Sequence, residues 1–233
     1  MDSATHEKLL QATAGTSKTD LDLPQSLLDA AGDLPITQSL LEVAARNFWN
    51  GAKAMRLFLD RHTNLPLSEA IVAAAAGNER DGIEIINLLS RYLELPITTQ
   101  VVQAALQNKP IGGEMMKLLL SKGENIPVAE EMVIEIARRF DGQAMKLLLS
   151  RCENVSITTG VVVAAAGNWN EGREVMELIC QSDSVTIMEG IVTEVARRFN
   201  EQMMKPLLSR GENIPIIIII THTPVQAVQS IGY

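Results

Sequence analysis

Apolar residues recur at i, i+1, i+4 and i+5 in six segments that restart with one pattern. They are LPITQSLLEVAA from Leu34, LPLSEAIVAAAA from Leu65, LPITTQVVQAAL from Leu95, IPVAEEMVIEIA from Ile126, VSITTGVVVAAA from Val155 and VTIMEGIVTEVA from Val185. Successive starts lie 31, 30, 31, 29 and 30 residues apart, and a seventh restart at Ile214 does not complete. This spacing marks one face of a helix, repeated in register.

Each unit holds a second amphipathic stretch rich in Met and Leu, such as AMRLFLDR, EMMKLLLSK and AMKLLLSR. A turn of Gly, Asn and Asp separates the two, as at Asn50-Gly51, Asp81-Gly82, Gly112-Gly113 and Asp141-Gly142. Glycine here is expected to end the first helix through the left-handed conformation. Thr37, Ser68, Thr98 and Thr158 stand where a hydroxyl caps the first helix. Pro at 35, 66, 96, 127 and 215 precedes that position and keeps the chain extended.

The pattern predicts helical hairpins, none able to bury its apolar stripe alone, stacked side by side. The expected fold is an all-α, right-handed solenoid. Its six repeats span 34–64, 65–94, 95–125, 126–154, 155–184 and 185–213. Residues 1–33 read as a degenerate capping repeat, and 214–233 as a truncated or irregular seventh. Pro206 interrupts the last second helix, and the run Ile216 to Ile220 is uncharged and β-prone.

Composition narrows the function. Hydrophobic residues make up 46 % of the 233, aromatics only 3 %, so the core is built from Ala, Leu, Ile, Val and Met. A net charge of −8 opposes binding to nucleic acid or to an anionic membrane. No apolar run reaches the length of a membrane span, and no leader segment is seen. Two cysteines make no disulfide framework, so the chain is expected to be cytoplasmic.

No catalytic, metal or cofactor constellation emerges: His6, His62 and His222 are scattered, and no GxxxxGK[ST] loop occurs. Acidic pairs such as Glu130-Glu131 sit in a helix's first turn, where they complement its dipole. Aromatics are less easily set aside. Phe48, Phe140, Trp169 and Phe199 share the fifteenth position of their repeats, with Trp49 adjacent, while Glu79 and Lys109 interrupt the column. The rings either plug the gap between helices or form an edge that anchors a partner. Arg138-Arg139 and Arg197-Arg198 recur near a first-helix C-terminus, either as dipole compensation or as a clamp for an acidic peptide. A further candidate surface is the variable side of the first helices: Gln38, Ser39 and Glu42; Glu69, Ala70 and Ala73; Thr99, Gln100 and Gln103.

The segments ITTGVVVAAAGNWNEGREVMELICQ (157–181) and LSEAIVAAAAGNERDGIEIINLLSR (67–91) resemble the short ankyrin-like helical repeats of filamentous-fungal proteins. In that family such arrays often follow the nucleotide-binding module of NOD-like (STAND) receptors. The resemblance covers about 34–213 and implies a non-enzymatic array that binds a protein or peptide or senses a ligand. It brings no catalytic residues, and no nucleotide-binding module is visible in the chain. The alternative expectation is a structural array that self-associates through its C-terminal end, 214–233.

Overall fold

The computed structural model describes residues 36–61, 65, 67–92, 94–152, 155–181 and 195. Among them lie ten helices and no strand. Contacts group the chain into two compact units, the first running to Gly123 and the second starting at Glu124.

The first unit holds three hairpins: α1 (Gln38–Arg46) with α2 (Gly51–Arg61), α3 (Glu69–Gly77) with α4 (Gly82–Leu89), and α5 (Thr99–Gln107) with α6 (Gly112–Lys122). The first helices α1, α3 and α5 pack in one layer and the second helices α2, α4 and α6 in another. The second unit repeats the plan with α7 (Glu130–Arg139), α8 (Gly142–Arg151), α9 (Thr159–Ala166) and α10 (Gly172–Gln181). The fold is thus the all-helical repeat array that the pattern predicts.

Helices of eight to eleven residues are too short to persist alone in water, so packing holds them. The i, i+1, i+4, i+5 stripe is the packed face. Leu40, Leu41, Ala44 and Ala45 are buried in α1, and Val101, Val102, Ala105 and Leu106 in α5. Met132, Val133, Ile136 and Ala137 do the same in α7. The second helices contribute Met55 and Phe58, Ile85 and Ile86, Met115 and Met116, and Val175 and Met176.

Two expectations about the turns are corrected. No described glycine has a positive φ; only Asn125 does, at 54°. The glycines opening the second helices serve close approach instead. A Cβ on Gly82 would lie 2.5 Å from the carbonyl oxygen of Ala75 and 2.9 Å from Cε of Met115. Of the expected hydroxyl caps, only Thr37 accepts a cap bond, from the Leu40 amide at 3.3 Å. Thr98 and Thr158 donate outward, each to the first-turn glutamate of the preceding hairpin, Glu69 and Glu130. Ser68 Oγ is buried without a partner among the described residues.

The hairpins are joined by a device the sequence reading missed. Asn47, Asn78, Asn108 and Asn168 cap or follow the first helices and are buried. From the second hairpin of each unit onward, the Asn side-chain amide donates to two carbonyls of the preceding hairpin. Asn108 reaches Ala76 at 3.0 Å and Asn78 at 3.3 Å, and Asn168 reaches Ala137 at 3.1 Å and Phe140 at 2.9 Å. Where the α7–α8 turn has Phe140 and Asp141 instead, Asp141 caps α8 by accepting from the Ala144 amide at 2.9 Å.

Candidate functional site

The aromatic column is assembled turn by turn, and its members do not share one environment. In the first turn, Asn47 Oδ1 accepts from the amides of Trp49 and Asn50 at 2.8 and 2.9 Å, fixing the loop that carries Phe48 and Trp49. The two rings meet edge to face, centroids 4.9 Å apart at 84°. Phe48 is 45 % exposed and Trp49 is half-buried. Arg80, from the next turn, lays its guanidinium 5.0 Å from the Trp49 ring centroid and 5.9 Å from that of Phe48. A ring pair and a cation from successive repeats therefore form one surface cluster.

Trp169 stands in a comparable turn, held by Asn168 Oδ1, which accepts from the Asn170 and Glu171 amides at 3.2 Å each. The residue is 99 % exposed. Phe140 differs: it is buried at 7 % exposure, with the Arg139 guanidinium 5.3 Å from its centroid. It is buried and not presented at the surface, so the reading of Phe140 as part of a presented edge is corrected. The turn there lacks the capping Asn and the chain is one residue shorter, which draws the ring inward.

The paired arginines are occupied on their own helix. Arg138 and Arg139 both bind Glu135, at 3.2 and 3.1 Å. Glu135 thus already supplies the carboxylate that a clamp at this position would have to recruit. Phe199, Arg197 and Arg198, the capping segment 1–33 and the Ile-rich tail lie outside the described residues.

On the first-helix face, Gln38, Ser39, Thr99, Gln100 and Gln103 are exposed, as expected for a variable surface. Ala73 is not, at 7 % exposure. It floors a groove of about 330 Å³ with Ala74 and Gly77, between Arg46 on one side and Gln100, Gln103 and Gln107 on the other. A second, larger hollow of about 690 Å³ lies along α4, among Arg56, Arg80, Arg91 and Lys122. Sequence reasoning did not find it, because its cations stand far apart in the chain.

The polar chemistry is otherwise ordinary. Among the described residues no group of three or more His, Cys, Asp or Glu side chains is placed to hold a metal ion. Burial pushes the Cys152 thiol up to about 11. No helix among them is long and apolar enough to cross a membrane.

Comparison with known proteins gives one relationship. The model of a family described as a domain of unknown function, DUF7104, matches residues 27–55, 57–85, 88–116 and 147–176. Each matched segment contains one of the buried turn asparagines, Asn47, Asn78, Asn108 or Asn168. The first match begins inside the segment read as a degenerate capping repeat. No curated protein and no solved structure matches the chain.

Proposed function

The chain belongs to the DUF7104 repeat family, whose matches span half of its length, and from that premise we propose a non-enzymatic scaffold for protein interaction. One observation carries the reading: the folded turns hold large rings out into water. A tryptophan is on average among the more buried residue types, yet Trp169 is fully exposed on a turn whose backbone is fixed by Asn168. The Phe48–Trp49–Arg80 cluster adds a second aromatic surface, in which Phe48 is exposed, Trp49 is half-buried and a guanidinium is the polar partner. Rigid aromatic side chains beside arginine are the commonest anchors of protein interfaces.

The finer reading is that of a sensing array in a receptor-like protein of filamentous fungi, working in the cytoplasm on a protein or peptide ligand. It is supported by the likeness of 67–91 and 157–181 to such arrays and by the rings described above.

A photo-crosslinking amino acid placed at 169 tests the proposal in the host cell, with Lys109, exposed at the equivalent turn position but not aromatic, as the control position. Discrete protein adducts from 169 that are absent from 109 are expected. Identical adduct patterns from the two positions would sink the reading.

A further inference from the structure

The hollow along α4 carries a charge arrangement that the array itself does not require. Arg80 stands just before the helix and Arg91 just beyond it, Arg56 comes from α2, and Lys122 is the last residue of α6. Four cations and one carboxylate, Glu84, line it in a chain whose net charge is −8. Glu84 is already engaged by Arg56. Among the described residues, Arg80's only acidic contact is a long one with Asp81, at 3.8 Å, and its guanidinium otherwise lies over Trp49 and Phe48. Arg91 and Lys122 are exposed, and among the described residues neither has an acidic partner within ion-pair distance.

Dipole compensation accounts for Arg91 or Lys122 singly, each at the C-terminal end of a helix. It does not account for Arg80 at the opposite end of α4. Nor does it account for the apolar surface of Ile83 and Leu88 between them.

We infer that this trough binds an extended acidic segment of a partner protein. The inference deepens the interaction-scaffold reading and rests on it. The eight residues of α4 span about 12 Å, the reach of roughly four residues of extended chain. Asp and Glu carboxylates of that segment meet Arg80, Arg91 and Lys122, and guanidinium forks hold carboxylates by paired hydrogen bonds. Its apolar side chains lie on Ile83 and Leu88. At the Arg80 end the segment continues onto Trp49 and Phe48, which joins the trough to the aromatic cluster.

The test uses the full chain and three fluorescein-labelled hexapeptides: one rich in Asp and Glu, its Asn/Gln counterpart, and a Lys-rich one. Fluorescence anisotropy at low salt should show binding of the acidic peptide alone, weakening steeply with NaCl. Arg91→Glu/Lys122→Glu should weaken it at least tenfold, while Lys109→Glu/Lys146→Glu, exposed cations outside the trough, should change it less than threefold. Circular dichroism verifies that both variants remain folded. Equal binding by wild type and the Arg91/Lys122 variant, or preference for another peptide, overturns the acidic trough and leaves an interaction scaffold standing. Displacement by inorganic phosphate beyond that by chloride of equal ionic strength reassigns the trough to a phosphate-bearing ligand and overturns the carboxylate claim. If no peptide binds, the trough is overturned. If position 169 also yields no specific adduct, the scaffold reading falls with it.

Discussion

Asn78 donates its side-chain amide to the main-chain carbonyl of Asn47, 2.9 Å away and one repeat earlier. The same nitrogen reaches the Ala45 carbonyl at 2.9 Å, while Oδ1 accepts from the Arg80 and Asp81 amides at 3.1 and 2.9 Å. Both amide protons and both lone pairs are thereby used in a buried site. One side chain closes its own turn and fastens it to its neighbour. Because that turn sets Arg80 over Trp49, the packing link and the candidate surface are physically one structure.

Asn78→Ala leaves two carbonyls and two amides in need of partners. Unsatisfied buried groups cost about 1–3 kcal/mol, so a loss of about 2–3 kcal/mol is expected in urea unfolding. Asn78→Asp keeps the acceptor but removes both donated bonds and buries a charge, so it should be the more damaging of the two at neutral pH. A loss below about 0.5 kcal/mol for Asn78→Ala, the range of ordinary surface changes, would show that the ladder is incidental.

Gly82→Ala and Gly77→Ala form a matched pair. At Gly82 the new methyl would overlap the Ala75 carbonyl oxygen, a backbone atom, so the α3–α4 hairpin must open. Overpacking of this kind costs about 1–3 kcal/mol. A Cβ on Gly77 meets nothing within 4 Å, and alanine there restricts the unfolded chain. That change should be neutral or stabilising by up to about 1 kcal/mol. Thermal denaturation of both variants separates close approach from conformational freedom as the role of the turn glycine, since equal effects would refute the former.

The repeat, its two helices and their buried faces were legible because burial at i, i+1, i+4 and i+5 is periodic in the chain. Leu40, Leu41, Ala44 and Ala45 are all inside, as the spacing demands. The Asn ladder was present in the sequence as an asparagine at the fourteenth position of four of the six repeats. Such a residue at a helix end reads as a cap, and which carbonyl its amide meets depends on the neighbouring hairpin. Phe140 was misplaced for a related reason. A column counted along the chain assumes turns of equal length, and the α7–α8 turn is shorter. The trough along α4 draws on α2, α4 and α6 at once, and no periodicity in the chain announces such a convergence.

The two tryptophans should report different surroundings. With Trp49→Phe, the remaining Trp169 should emit like free tryptophan and be quenched by acrylamide nearly without hindrance, because the residue is 99 % exposed. With Trp169→Phe, Trp49 should emit to the blue and resist quenching, packed against Phe48 and covered by Arg80. Adding Arg80→Ala should raise its quenching constant by removing that cover. Protected, blue-shifted emission from Trp169 would contradict the open ring and remove the observation on which the interaction reading stands.

Cys152 gives the array a pH dependence of definite sign. Burial raises its thiol from an ordinary value of 9.0 to about 11, because the apolar surroundings disfavour the thiolate. The unfolded chain therefore loses this proton at lower pH than the folded one. By linkage the contribution to stability is complete below pH 9 and is lost as pH rises through 9 to 11. Cys152→Ala removes the titrating group, so the difference in unfolding free energy between wild type and variant should shrink over that interval and stay flat from pH 6 to 8. Labelling gives an independent check: in a Cys180→Ala background at pH 8, iodoacetamide should modify Cys152 slowly in buffer and rapidly in urea. Fast labelling of the folded chain, or a stability difference that grows above pH 9, would mean that the thiol is not held neutral by its burial.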